Sequence, residues 1–94
     1  MAQITLIEAV TQALAYEMAH DDSVVVLGED VGINGGVFRA TQGLHEKFGD
    51  LRVIDTPLDE TTIAGVTVGL AVQGMTPVAE AQFEGFIYPM MEQI

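Results

Sequence analysis

Apolar residues recur at helical spacing along the first part of the chain. Ile7, Val10, Leu14 and Met18 fall on one stripe, and Thr5 with Glu8 makes the capping-box pattern that starts a helix. The polar residues Glu17, His20 and Asp21 end that pattern. Residues 23–28, SVVVLG, are apolar without alternation, as in a strand buried on both faces. A glycine-rich stretch, residues 29–39, then predicts an irregular loop whose glycines take positive φ. Residues 40–48 predict a short helix stopped by Gly49, and residues 51–54 a second strand. Pro57 ends that strand, because it has no amide proton to give to a ladder. Asp59, Thr61 and Thr62 are helix-start residues, and a helix rich in small side chains is predicted from Ile63 to Val72, closed by Gly74 as a left-handed cap. Residues 76–83 predict a third strand with Pro77 at its first position, Glu84-Gly85 a break, and residues 86–94 a last helix.

The order is helix, strand, helix, strand, helix, strand, helix. Alternation of this kind predicts an α/β fold, a parallel sheet with helices on both faces. No linker or low-complexity segment interrupts it, so one domain is expected. In such sheets ligands bind outside the carboxyl ends of the strands. The turn from Asp55 to Gly65, with Glu60 at its mouth, is therefore the first place to look.

Composition narrows the possible chemistry. The 94 residues carry a net charge of −11, which opposes binding to nucleic acid or to an anionic membrane. With no cysteine there is neither a disulfide framework nor a thiolate metal site. Acidic residues interrupt every apolar run before it could span a bilayer, and no signal or transit peptide is legible, so a soluble intracellular protein is expected. An apolar content of 49% is high for so short and acidic a chain, and it implies surface meant for another domain or subunit. The chain ends inside an apolar run, which reads as the N-terminal piece of something longer.

Several residues could carry chemistry. Gly32 to Gly36 matches neither GxGxxG nor GxxxxGK[ST], and an ordinary loop explains it. Glu29-Asp30, after the first strand, could hold Mg²⁺ as in phospho-receiver domains, but Lys47, the sole lysine, lies on a predicted helix. Glu29 directly follows a buried strand and is expected to be enclosed. His20 and His45 read as structural, Met90 and Met91 as packing. Glu60 has two readings that spacing alone leaves open: a first-turn acid offsetting the helix dipole, or a functional carboxyl.

Four motifs in register change that balance. Leu27-Gly28-Glu29-Asp30-Val31, Gly35 to Thr41 (GGVFRAT), Asp55-Thr56-Pro57-Leu58-x-Glu60 and Ala79-Glu80-x-Gln82-Phe83 occur in this order and spacing. Together they resemble the beta subunit of thiamin-diphosphate-dependent 2-oxo acid dehydrogenases. The loop style is most similar to bacterial pyruvate dehydrogenase beta subunits, and the resemblance covers essentially the whole chain.

The resemblance implies a transketolase-type pyrimidine-binding domain, of which residues 1–94 are the N-terminal part, with the beta subunit's C-terminal domain absent. It implies that Glu60 bonds the aminopyrimidine of thiamin diphosphate and that Leu58, Gln82 and Phe86 line the same pocket. Phe86 stands where relatives often have tyrosine. The cofactor's own amine acts as base when a carboxyl shares a proton with the opposite ring nitrogen, so a Glu60 enclosed among Leu58, Ile63 and Phe86 would suit the task. Glu29 and Glu92 match acids of a water-filled passage between active sites. The diphosphate and Mg²⁺ motif, Gly-Asp-Gly…Asn, is missing here, and in two-subunit enzymes it lies on the alpha subunit. An alpha2beta2 heterotetramer is therefore implied, oxidatively decarboxylating pyruvate and passing the acyl group to a lipoyl-bearing dihydrolipoyl acyltransferase; the fragment alone would be inactive. A bacterial cytoplasm is expected, with the mitochondrial matrix as the alternative location. The competing readings are a branched-chain 2-oxo acid dehydrogenase, another transketolase-like thiamin enzyme, and a receiver-like interaction domain.

Overall fold

The computed structural model describes residues 3–94, the side chains of Glu84 and Glu92 excepted. Helix α1 spans Leu6–His20 and opens on the predicted capping box, in which the Glu8 amide donates to the Thr5 hydroxyl at 3.1 Å. Strand β1, Val24–Gly28, is buried along its whole length. Helix α2 covers only Leu44–Phe48. Residues 40–43 form turns instead of its predicted first part, because Gly43 sits in the left-handed region at φ 83° and interrupts the helical path. Strand β2 is Val53–Asp55, and helix α3 is Glu60–Val72.

Asp59 caps α3, its carboxylate accepting from the amides of Thr61 and Thr62. At the other end Gly74 takes φ 96°, and the Met75 amide reaches back to the Leu70 carbonyl at 3.0 Å, so the helix closes as expected. Strand β3 is Thr76–Ala79, half the predicted length. The last predicted helix is broken into 3₁₀ turns at Glu84–Phe86 and Met91–Gln93 around a short α4, Ile87–Met90. Pro89 lies inside that segment and offers no amide to a continuous helix.

The sheet is parallel with order β2-β1-β3, so the oldest strand in sequence is central. Right-handed crossovers in opposite directions from such an order put the connecting helices on opposite faces. The packing agrees. Met18 and Leu14 of α1, Leu44 and Phe48 of α2, and Val24, Val26 and Val53 form one core. On the other face Ile63 and Ala64 of α3 pack with Met90, Ala79 and Ala81. The stripe on α1 is only half used, however: Met18 is buried and Leu14 half-buried, whereas Ile7 and Val10 are exposed. Among the described residues the first turns of α1 are only partly covered, Thr11 donating to the Ala40 carbonyl at 2.6 Å.

Arg52 ties the bottom of the sheet to α1. Its guanidinium donates to the carbonyls of Met18 at 2.7 Å, Asp21 at 2.8 Å and Val24 at 3.0 Å, and lies over the Phe48 ring. Those carbonyls include the free end of α1, where a cation is favoured. At the top of the sheet the glycine-rich loop is pinned twice. The Gly32 amide donates to the Asp55 carboxylate at 2.7 Å, and the buried Thr41 hydroxyl donates to the Val31 carbonyl at 2.8 Å. Both histidines have structural partners: His20 stacks on Tyr16, and His45 pairs with Asp50. Among the described residues no helix is long and apolar enough to cross a membrane.

Candidate functional site

The chain leaves β1 toward one face of the sheet and leaves β2 and β3 toward the other. Divergence of this kind opens a crevice at the carboxyl ends of the strands. An acid stands at each exit. Glu29 is the residue after β1, Glu80 the residue after β3, and Glu60 opens the helix that follows β2.

Register brings these exits level. Leu27 pairs with Ile54 on one side and with Ala79 on the other. Two further bonds extend the ladder beyond the strands: the Glu80 amide donates to the Leu27 carbonyl, and the Thr56 amide to the Gly28 carbonyl, both at 2.9 Å.

Glu29 is 4% exposed, and neither carboxyl oxygen has a hydrogen-bond partner if every neighbouring carboxyl is ionised. Glu60 lies within hydrogen-bonding reach of it. Two carboxylates cannot bond each other, since both only accept; a proton on one of them supplies the missing donor. Burial is the main force that raises the pKa of Glu29, to about 7. The hydrogen bond with Glu60 adds to it, followed by the negative charges of Glu60, Asp30 and Glu80. Glu29 thus keeps its proton up to near neutral pH.

Glu60 itself is half-buried, with Oε2 inaccessible and unpartnered among the described residues. Its surroundings differ from the expected enclosure. Ile63 is buried, but Leu58 is 80% exposed. The fully enclosed acid is Glu29, one strand away. Gln82 and Phe86 are both half-buried, and Phe86 meets Phe83 edge-on, which in turn meets Phe38 of the glycine-rich loop. The side chain of Glu92 lies outside the described residues. Asp30 is exposed, and Lys47 sits on α2 away from any strand end, so the lysine a receiver domain requires is not at the crevice.

Glu80 was not singled out from the sequence as a site residue. It is half-buried, its Oε2 is inaccessible and unpartnered, and burial raises its pKa. A cavity of about 280 Å³ lies beside it, walled by Val10, Leu14, Val26 and Val78. The available signal was positional: Glu80 follows β3 as Glu29 follows β1.

Comparison with known proteins agrees with this architecture. Residues 2–94 match the transketolase pyrimidine-binding domain family. The pyruvate dehydrogenase E1 component subunit beta of Bacillus subtilis is 54% identical over all 94 residues, and that of Staphylococcus epidermidis is 52% identical over the same span. The corresponding subunit of Acholeplasma laidlawii is 55% identical over 89 residues, 95% of this chain. The chain spans 29% of the length of the first two relatives and 27% of the third. A parallel sheet with helices on both faces, acids gathered at its carboxyl edge and a family match over nearly every residue lead to one assignment: the chain belongs to the transketolase pyrimidine-binding domain family.

Proposed function

We propose that this chain is part of the beta subunit of a pyruvate dehydrogenase (acetyl-transferring) E1 component, in which Glu60 holds the aminopyrimidine of thiamin diphosphate. The observation that carries the proposal is the Glu60 carboxyl: it stands at a helix start on the carboxyl edge of a parallel sheet, half-buried, with one enclosed oxygen lacking a partner. An aminopyrimidine needs a carboxyl that can share a proton with a ring nitrogen, together with apolar contacts for its faces. The residues present fit that need. Glu60 would take the ring nitrogen, Gln82 a second polar group, and Leu58 and Phe86 the ring faces. The exposure of Leu58, beside Glu60, suits a side chain whose contact comes from a ligand or a second chain.

Thiamin diphosphate, when bound, supplies the nucleophilic carbon and electron sink that decarboxylation of a 2-oxo acid requires. The part of this chain is to offer the Glu60 carboxyl to the ring nitrogen, with the enclosed Glu29, whose own pKa burial raises to about 7, beside it. The same proposal assigns the diphosphate and Mg²⁺ to an alpha subunit, in an alpha2beta2 heterotetramer. It makes a lipoyl-bearing dihydrolipoyl acyltransferase the acceptor of the acyl group and places the enzyme in a bacterial cytoplasm. Residues 1–94 would then be the first part of the pyrimidine-binding domain, with a C-terminal domain completing the subunit. Exposed apolar residues, among them Leu6, Ile33, Tyr88 and Ile94, support docking against such partners. Pyruvate as substrate rests on the names the relatives carry.

The test is Glu60→Gln in the full-length subunit assembled with its companion. Turnover should fall by at least about 100-fold, the range of a lost proton-transfer partner, while size-exclusion chromatography shows unchanged assembly. Turnover within a factor of a few of the parent would overturn the assignment of Glu60.

A further inference from the structure

We propose that Phe83 is a positioning residue for Phe86: it fixes the tilt of the Phe86 ring, so that the ring is ordered before a flat heterocycle arrives. This rests on the reading of Phe86 as a ring contact for the aminopyrimidine and extends it to a residue one contact further from the ligand.

Phenylalanine is unevenly placed in this chain. Of the four, Phe38, Phe83 and Phe86 lie on segments that leave the carboxyl ends of β1 and β3. The fourth, Phe48, packs at the opposite end of the sheet, under Arg52. Phe38 and Phe83 remain 47% and 49% exposed, so burial does not account for where they stand. Their ring contacts are with one another. Phe83 is in the middle, its centroid 5.4 Å from that of Phe38 and 5.5 Å from that of Phe86. The interplanar angles are 79° and 89°, the edge-to-face arrangement that the charge distribution of the rings favours.

The backbone is held at the same place. The Phe86 amide donates to the Phe83 carbonyl at 2.9 Å and closes the 3₁₀ turn between them. The Thr61 hydroxyl donates to the Pro89 carbonyl at 3.4 Å, which ties the segment after Phe86 to the first turn of α3, one residue from Glu60. With the main chain set, the freedom left to Phe86 is rotation of its side chain. A ring standing nearly perpendicular to it restricts that rotation, and Phe38 restrains Phe83 in turn from the glycine-rich loop. A side chain ordered in advance does not lose that freedom on binding. An aliphatic residue at 83 fills similar space without a flat surface to set the tilt.

The experiment is calorimetric titration of thiamin diphosphate, with Mg²⁺ in excess, into the full-length subunit assembled with its companion. Phe83→Leu removes the ring and should weaken binding by about 3- to 10-fold, the scale of ordering one side chain. Phe83→Tyr keeps the ring and should bind within about 1.5-fold of the parent. Phe86→Leu should weaken binding at least as much as Phe83→Leu does. Adding Phe83→Leu to Phe86→Leu should change affinity by less than about 1.5-fold, because Phe83 acts only through Phe86. If Phe83→Leu disturbs assembly in size-exclusion chromatography, Phe83→Met removes the ring with a chain that adapts to the gap. Unchanged affinity in the ringless Phe83 variants, equal losses in the Leu and Tyr variants, or additive losses in the double variant would overturn the proposal. A merely structural role predicts the additive result. Full affinity in Phe86→Leu removes the ring contact and the inference with it; loss there with none in Phe83→Leu overturns this inference alone. The assignment of Glu60 is read separately, from turnover of Glu60→Gln.

Discussion

Replacing Glu29 with glutamine removes a titratable proton while keeping the size of the side chain and a group able to donate to Glu60. The folded chain holds the Glu29 pKa at about 7 against an ordinary 4.5, chiefly through burial and then through Glu60. The folded state therefore binds this proton more tightly than the unfolded state does. The stability it contributes is fully present below pH 4.5 and is lost as pH rises through 7. A gap of about 2.5 pH units corresponds to about 3 kcal/mol, an upper bound because the proton is shared with a neighbour. Glu29→Gln avoids this loss. Relative to the parent it should be near neutral in stability around pH 4.5 and more stable by up to about 3 kcal/mol at pH 8 and above. Urea denaturation followed by far-UV circular dichroism at a series of pH values reads the difference directly. A difference between variant and parent that stays constant from pH 4.5 to 8 would refute the reasoning, since ordinary packing defects do not titrate.

Two further substitutions test the frame that holds the site. Arg52→Ala removes charge-assisted bonds to the carbonyls of Met18, Asp21 and Val24, and should cost roughly 2–4 kcal/mol in denaturation experiments, with Arg52→Lys recovering only part of it. A cost below about 0.5 kcal/mol would mean that water replaces those contacts freely. Gly32→Ala would place a Cβ 2.5 Å from the Asp55 carboxylate and disturb the bond from the Gly32 amide. It should destabilise by about 1–3 kcal/mol and speed hydrogen exchange across the glycine-rich loop; unchanged exchange there would show that the loop is anchored elsewhere.

Local signals were the most legible in the sequence. The Thr5–Glu8 capping box, the Asp59 cap and the Gly74 closure each depend on groups within one or two turns, and each is present in the fold. The uninterrupted apolar run before Glu29 correctly implied a buried strand and an enclosed acid after it. Elements that depend on context were less legible. The third strand stops at Ala79, the last segment breaks around Pro89, and half of the α1 stripe faces outward, because strand length and helix burial depend on neighbours that periodicity does not describe. The family resemblance implied Leu58 as a pocket residue beside Glu60, and in this chain its side chain is 80% exposed.

The order of residues by itself determined the alternation of strands and helices, the caps that bound them, and the placing of an acid after each of the three strands. Those features follow from backbone hydrogen bonding and side-chain reach over a few residues. Only the tertiary structure decided that Glu29 and Glu60 lie together, and that burial holds a proton on Glu29 up to about pH 7. Strand order β2-β1-β3 and its register bring distant carboxyls together, and the charge of a carboxyl depends on the solvent and charges it loses or gains there.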